Sequence, residues 1–325
     1  MGRAMVGVVI LAVALGGTAV VASAQPVPLR FGGGFAAEDN LWIMQARPEL
    51  TPNQGRAYTL QVTRFRANLD RLNAFQAGQL DCGTVPSGTA ILARAQGVKL
   101  KGVASLVIES PQGFSTSYLV LADAGINAVR DLRGKTIGIV DYKSATDLWA
   151  RMALVKHGLD PDRDAKLVVV PFPAMGNALR TKKIDAGVFP QPFYAAEMQK
   201  GGVKLLFNAK EGVPYEEELL LIFCSETYLA RQAQAVRAFL SDFVKATGYY
   251  LDRTRESRQA ILEAKLVQIP APLYLGLQDY ARRRDARISS EAMEKQQELL
   301  VQLGWMEKER RIRMEELVDN SYLPR

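Results

Sequence analysis

Apolar residues recur along this chain in two alternating rhythms, a period of two over short runs and a helical period over longer ones. Residues 29–31 open a short strand that ends in Gly32-Gly33-Gly34, and a helix is expected over 38–46. TLQVTRF, residues 59–65, alternates as a strand does. Asn68 is the expected cap of a helix whose Leu69, Leu72, Ala74 and Phe75 lie mostly on one side, with Gly78 ending it. A strand over 82–85, a helix opened by Ser87 and a longer strand over 99–108 follow. Such alternation marks an α/β fold with a parallel sheet.

SYLVLA, residues 117–122, reads as a β crossing into a second unit with the same rhythm. Strands over 136–140, 167–170, 186–189 and 203–207 interleave there with helices over 146–157, 174–181 and 194–200. ELLLIFC, residues 218–224, is a second apolar crossing, back to the first unit. Beyond it the pattern is mostly helical, over 226–250, 255–266, 289–303 and 314–319. The expected division is a first lobe over 25–118, a second lobe over 119–222 and a return to the first over 223–325.

The N-terminus bears on the compartment. Residues 1–24 hold one charge, Arg3, then an apolar run from Met5 to Val21 and Ala22-Ser23-Ala24. These are the parts of a secretory signal peptide over 1–24, so export to the periplasm is expected, with a mature chain from Gln25. No later apolar stretch is long enough to span a bilayer, so the mature chain is not expected to be membrane-embedded. The formal net charge of +7 admits a nucleic-acid reading, but the basic residues are mixed with acids. Arg282-Arg283-Arg284 is bracketed by Asp279 and Asp285 and reads as a solvated helix face. Nucleic acid is not an expected partner, whereas a positive field suits an anionic solute.

Catalytic chemistry finds little support. The single histidine, His157, precedes Gly158 and suits a helix C-terminus, next to the negative end of the dipole. Two cysteines and one histidine make no zinc or iron centre, and no cofactor is expected. No P-loop and no G-x-S-x-G elbow occur. Glu216-Glu217-Glu218 reads as a polar loop.

DLRGKTIGIV, residues 131–140, pairs a polar turn at Gly134 with an apolar strand. Lys143-Ser144-Ala145-Thr146 then starts a helix, and ALRTKKIDAGVFPQPF follows over 178–193. With the exported N-terminus and helical C-terminus, the chain resembles ABC-transporter solute-binding proteins of the nitrate/sulfonate/taurine group, from about Leu29 to Arg325. The resemblance implies the two-lobed type II periplasmic-binding fold, two hinge strands, and capture of a small-molecule ligand by closure. It implies an ABC permease and ATPase as partners, a monomer and no catalysis. The implied return strand would bring Cys82 and Cys224 near each other, and a periplasm permits a bond. Two buried free thiols are nonetheless the expectation, because adjacent-strand geometry often does not suit a disulfide.

In open α/β sheets ligands lie beyond the carboxyl ends of strands, beside helix N-termini whose free N–H groups suit anions. The turn after the first strand offers close backbone approach and Phe35 as a wall. Ser87 and Thr89 stand at the helix start after 82–85, as capping residues or anion ligands. Tyr142, Ser144 and Thr146 occupy the turn after 136–140, where hydroxyl, backbone and dipole act together. Gln191 and Phe193 follow the strand over 186–189 in a Pro-x-Pro turn. Phe114 lies near the expected rim, and Arg64 or Arg66 can pair an acid. The aromatics favour an organic anion, an aromatic or aliphatic carboxylate or sulfonate, with a thiamine-precursor pyrimidine or related heterocycle as alternative. The fungal pyrimidine synthases share the implied lobes and use pyridoxal phosphate and a histidine; their cysteine-rich segment is missing here. A sensor domain is the third class, without the helix-turn-helix that a regulator needs.

Overall fold

A computed structural model describes Met1 and residues 25–325. The expected signal peptide lies outside the described residues, apart from Met1. The strands are β1 (Val27–Gly33), β2 (Tyr58–Arg64), β3 (Cys82–Pro86), β4 (Leu100–Glu109) and β5 (Ser117–Leu121). They continue as β6 (Thr136–Ile139), β7 (Lys166–Val169), β8 (Ala186–Phe189), β9 (Val203–Asn208) and β10 (Glu217–Ser225). The helices are α1 (Asp39–Ala46), α2 (Asn68–Gln76), α3 (Ser87–Ala95), α4 (Ala145–Lys156), α5 (Phe172–Arg180) and α6 (Phe193–Lys200). After them come α7 (Ala209–Gly212), α8 (Glu226–Asp252), α9 (Thr254–Glu263), α10 (Ala271–Leu275), α11 (Ser290–Gln302) and α12 (Met314–Leu317).

Two sheets define two lobes, in the orders β2-β1-β3-β10-β4 and β7-β6-β8-β5-β9. In the first, β1 runs parallel to β2 and β3, while β10 is antiparallel to β3 and β4. In the second, β6 is parallel to β7 and β8, while β5 is antiparallel to β8 and β9. Each sheet thus has four strands of one direction and one reversed strand, which is the crossing strand itself, β10 in the first and β5 in the second. β3 reads CGTVP and is buried at every position, as a central strand covered on both faces must be. α8 lays Phe239 against Phe31 and Tyr58, with ring centroids 5.8 and 5.6 Å apart.

The structure corrects several sequence expectations. Cys82 and Cys224 lie directly opposite in the β3–β10 register, their Cα atoms 3.9 Å apart, and form a disulfide rather than free thiols. Asn68 is the first helical residue of α2, not its cap; Ala67 is the cap, and the Asn68 side chain accepts from Arg71 Nη2 at 2.7 Å. Ser87 likewise follows the cap, Pro86. Glu217 and Glu218 belong to β10 and are buried, because hinge cations and hydroxyls face them there. Arg282 lies in a loop with a fully buried side chain, held by Asp39 and Asp279, so it is no solvated helix face.

Candidate functional site

The β1–α1, β3–α3, β6–α4 and β8–α6 turns all come from carboxyl ends of parallel strands. Residues of each line one cleft of about 1020 Å³ between the lobes. Its walls are mostly apolar: Phe35, Phe65, Trp149, Phe172, Phe193 and Leu220 are among the lining side chains. Phe172 and Phe193 stack with centroids 5.9 Å apart on the second-lobe side.

Of the sequence candidates, Phe35, Arg64, Arg66, Ser144, Thr146 and Phe193 come together on this cleft. Phe35 is half exposed, with the Arg64 guanidinium 5.4 Å from its ring centroid. Ser144 caps α4, accepting from Asp147 N at 3.4 Å and donating to the Asp141 carbonyl at 2.7 Å. Thr146 Oγ1 accepts from Val140 N at 3.1 Å and sits 2.8 Å from Ser144 Oγ. Both hydroxyls therefore shape the turn. As the first two residues of α4, Ala145 and Thr146 keep N–H groups without intrahelical acceptors, and both line the cleft.

The other candidates lie apart from the lining. Ser87 is buried and Thr89 half-buried in α3, below Pro86, which does reach the cleft. Phe114 is buried behind it, 5.2 Å from Tyr194 and 5.1 Å from Tyr280 by ring centroids. Tyr142 is exposed and donates to the Leu167 carbonyl at 3.2 Å. Gln191 donates to the Gln278 carbonyl at 3.4 Å, bridging the lobes beside the cleft.

Sequence reasoning found Arg64 but missed the rest of the charged floor. Glu38 is 1% exposed and Arg71 3% exposed, and both line the cleft with Arg64, Asp70 and Asp141. Burial pushes the Glu38 pKa up; Arg71, the Thr84 hydroxyl and the Gly34 N–H pull it back. Arg64 donates through Nη1 to the Leu266 carbonyl at 2.6 Å, while its Nη2 is buried without a hydrogen-bond partner. Asp141 Oδ2, from the opposite lobe, is also buried without one. One signal was available: Glu38 falls four residues after a glycine triplet, the spacing at which a carboxylate folds back onto a turn. Leu266, Val267 and Ile269 also line the cleft, and no local pattern marks them.

The hinge forms the back of the cleft. Glu109 and Glu217 face each other across the β4–β10 register. Glu109 accepts from Thr116 N and Thr116 Oγ1, each at 3.0 Å, and Thr116 Oγ1 is 3.0 Å from Tyr280 Oη. Lys210 Nζ donates to Glu217 Oε2 at 2.8 Å, and Trp149 Nε1 donates to the same oxygen at 3.0 Å. Burial pushes the Glu109 pKa up to about 7, with Lys210 opposing and Glu217 adding to the rise. His157 stands at the C-cap of α4 with Nε2 2.9 Å from Glu211 Oε1, remote from the cleft lining. Among the described residues, no group of three or more His, Cys, Asp or Glu side chains is placed to hold a metal ion.

Two α/β lobes, two crossings and an inter-lobe cleft at the strand ends define the periplasmic-binding class of fold. The NMT1/THI5 like family model matches residues 60–257, and the chain belongs to that family. Over 268 residues it is 25% identical to the "Putative aliphatic sulfonates-binding protein" of Escherichia coli K12, covering 81% of this chain and 78% of that one. The alkanesulfonate-binding protein SsuA from Xanthomonas axonopodis pv. citri, bound to MOPS, aligns with a TM-score of 0.73 at 20% identity, over 91% of this chain and 100% of that chain. The nitrate-binding protein NrtA from Synechocystis PCC 6803 aligns with a TM-score of 0.74 at 10% identity, over 91% of this chain and 87% of that chain. At these identities the two solved structures show the shared fold. Among the described residues no helix is long and apolar enough to cross a membrane.

Proposed function

We propose that this chain is the extracytoplasmic solute-binding component of an ABC importer and that it takes a small organic anion into the inter-lobe cleft. The observation that carries the reading is the cleft itself: mostly apolar walls joined to the positive end of a 12-residue helix, whose first residues Ala145 and Thr146 line it. Such a site suits a carboxylate or sulfonate with an aliphatic or aromatic body; a bare inorganic ion needs few apolar walls. The sulfonate-binding relatives support that ligand class.

Closure follows from differential affinity. A ligand touching both lobes favours the form in which both touch it, and the two crossings absorb the motion. In this reading the signal peptide delivers the chain to the periplasm, where the closed monomer docks on a permease driven by a cytoplasmic ATPase.

The test is a thermal-shift screen of refolded protein against alkane- and arenesulfonates, carboxylates, nitrate, pyrimidines and amino acids. An organic sulfonate or carboxylate is expected to raise the melting temperature, since ligand at 100 times its Kd adds about 2.7 kcal/mol. Stabilisation by a heterocycle alone, or by nothing in the panel, refutes the ligand class.

A further inference from the structure

Among the described residues, no charged side chain that lines the cleft is held in an ion pair, unlike Arg258 and Arg282, which meet Asp279 at 3.2 and 2.5 Å. Two lining residues carry a buried side-chain atom without a hydrogen-bond partner, and they differ in sign and in lobe: Arg64 Nη2 on the first, Asp141 Oδ2 on the second. Arg64 is the last residue of β2. The Leu266 carbonyl at 2.6 Å and the rings of Phe35 and Trp42, 5.4 and 4.8 Å away by centroid, fix its guanidinium. The other cleft charges do not satisfy this pair. Glu38 accepts from Gly34 N at 2.9 Å and the Thr84 hydroxyl at 2.6 Å, and Arg71 donates to Asn68 Oδ1 at 2.7 Å. Arg66, Asp70 and Lys265 are exposed, where water screens them. Burial pushes the Arg64 pKa down, with Glu38 opposing. Burial pushes the Asp141 pKa up; the Asn68 N–H pulls it back, Asp70 adds to the rise and Arg71 opposes it. Each charge is therefore short of a counter-charge where it stands, and buried polar groups as a rule have partners.

We propose that the solute is a zwitterion whose acid group pairs with Arg64 on the first lobe and whose cationic nitrogen pairs with Asp141 on the second. This rests on the cleft being the solute site, and it narrows the organic acid to one that also carries an amino group. A guanidinium only donates and an ionised carboxylate only accepts, so the two poles fix which way round the solute lies. Because the poles belong to different lobes, a solute with both groups gains a charge-assisted bond to each lobe, which favours the closed form.

The first test needs no solute. Asp141→Asn keeps the shape and removes the charge, so in ligand-free protein it is expected to leave the melting temperature unchanged or raise it. Asp279→Asn, which loses a charge bonded to Arg258 and Arg282, is expected to lower it. A fall in Asp141→Asn as large as that in Asp279→Asn gives Asp141 a structural partner and overturns the proposal. The second test uses matched probes: ω-amino carboxylates and sulfonates of three to six carbons, leucine and phenylalanine, each against the same acid without its amino group. In calorimetry at least one amino-bearing probe is expected to bind wild type at least about tenfold more tightly than its counterpart, the worth of one hydrogen bond to a charged group. Asp141→Asn is expected to erase that preference, and Arg64→Met to weaken the same probe by at least about tenfold. A preference that survives Asp141→Asn, an affinity unchanged in Arg64→Met, or a panel in which no amino-bearing probe binds overturns the proposal. Simple acids that bind without an amino preference overturn it while leaving the solute-binding reading intact, so the two fail separately.

Discussion

In both lobes an acidic side chain accepts the N–H of the residue four positions before it: Glu38 from Gly34, and Asp147 from Lys143 at 2.7 Å. The outcomes differ because the helices start at different places. In the second lobe Ser144 is the cap and Asp147 the third helical residue, where Arg151 Nε donates to its other oxygen at 2.7 Å, away from the cleft lining. In the first lobe Glu38 is itself the cap residue of α1, so its carboxylate faces the cleft. Where an acid falls relative to the first helical residue decides whether a turn presents donors or an anion.

The contrast extends behind the walls, and the largest expected effect tests it there. The first lobe rests on buried ions: Arg282 Nη1 meets Asp279 Oδ1 at 2.5 Å, Nη2 meets Asp39 Oδ2 at 3.3 Å, and Arg258 Nη2 meets Asp279 Oδ2 at 3.2 Å. Arg282→Ala removes the cation shared by Asp39 and Asp279 and is expected to cost about 3–5 kcal/mol in urea unfolding. A loss below about 1 kcal/mol, the range of exposed pairs, breaks the view that ions build this lobe.

An intermediate effect lies at the hinge between the lobes. Glu109 has a folded pKa raised to about 7 from an ordinary 4.5, so the folded state binds its proton more tightly than the unfolded chain does. That contribution is full below the unfolded value and is lost as pH rises through about 7, so stability should fall across that window. Its ceiling is roughly 3 kcal/mol, from 1.36 kcal/mol per pKa unit. Glu109→Gln, always neutral, should flatten the dependence in melting curves from acid to neutral pH. An unaltered slope assigns the effect to another carboxyl.

The smallest effect sharpens the comparison of the two turns. Ser144→Ala removes a helix cap but no N–H donor, and should cost about 1 kcal/mol of stability. Affinity for a bound sulfonate should then fall much less than if the hydroxyl itself held the ligand, which isothermal calorimetry of the variant can decide.

Much of the fold was legible because periodicity records which face of each element is apolar. The strand alternation of TLQVTRF, the buried run ELLLIFC and the glycine at the end of α2 each carry their own local physics. The positions of the turns that line the cleft were legible for the same reason, since a strand that ends before a helix start is a local event. The residues inside those turns were harder. Ser144 and Thr146 read as donors toward a ligand, yet their hydroxyls bond the turn itself. Phe114 and Gln191 read as cleft-facing, yet partners from the C-terminal segment, Tyr280 and Gln278, engage them.

The sequence by itself determined the alternating elements, the two crossings and the strand ends where a cleft forms, because hydrophobic period and turn chemistry act over a few residues. Tertiary structure alone decided the bond between cysteines 142 residues apart, the burial of Arg282 and the pairing of Glu38 with Thr84. Those depend on which strand lies beside which and in what register, and a charge is buried or solvated according to neighbours that come from distant parts of the chain.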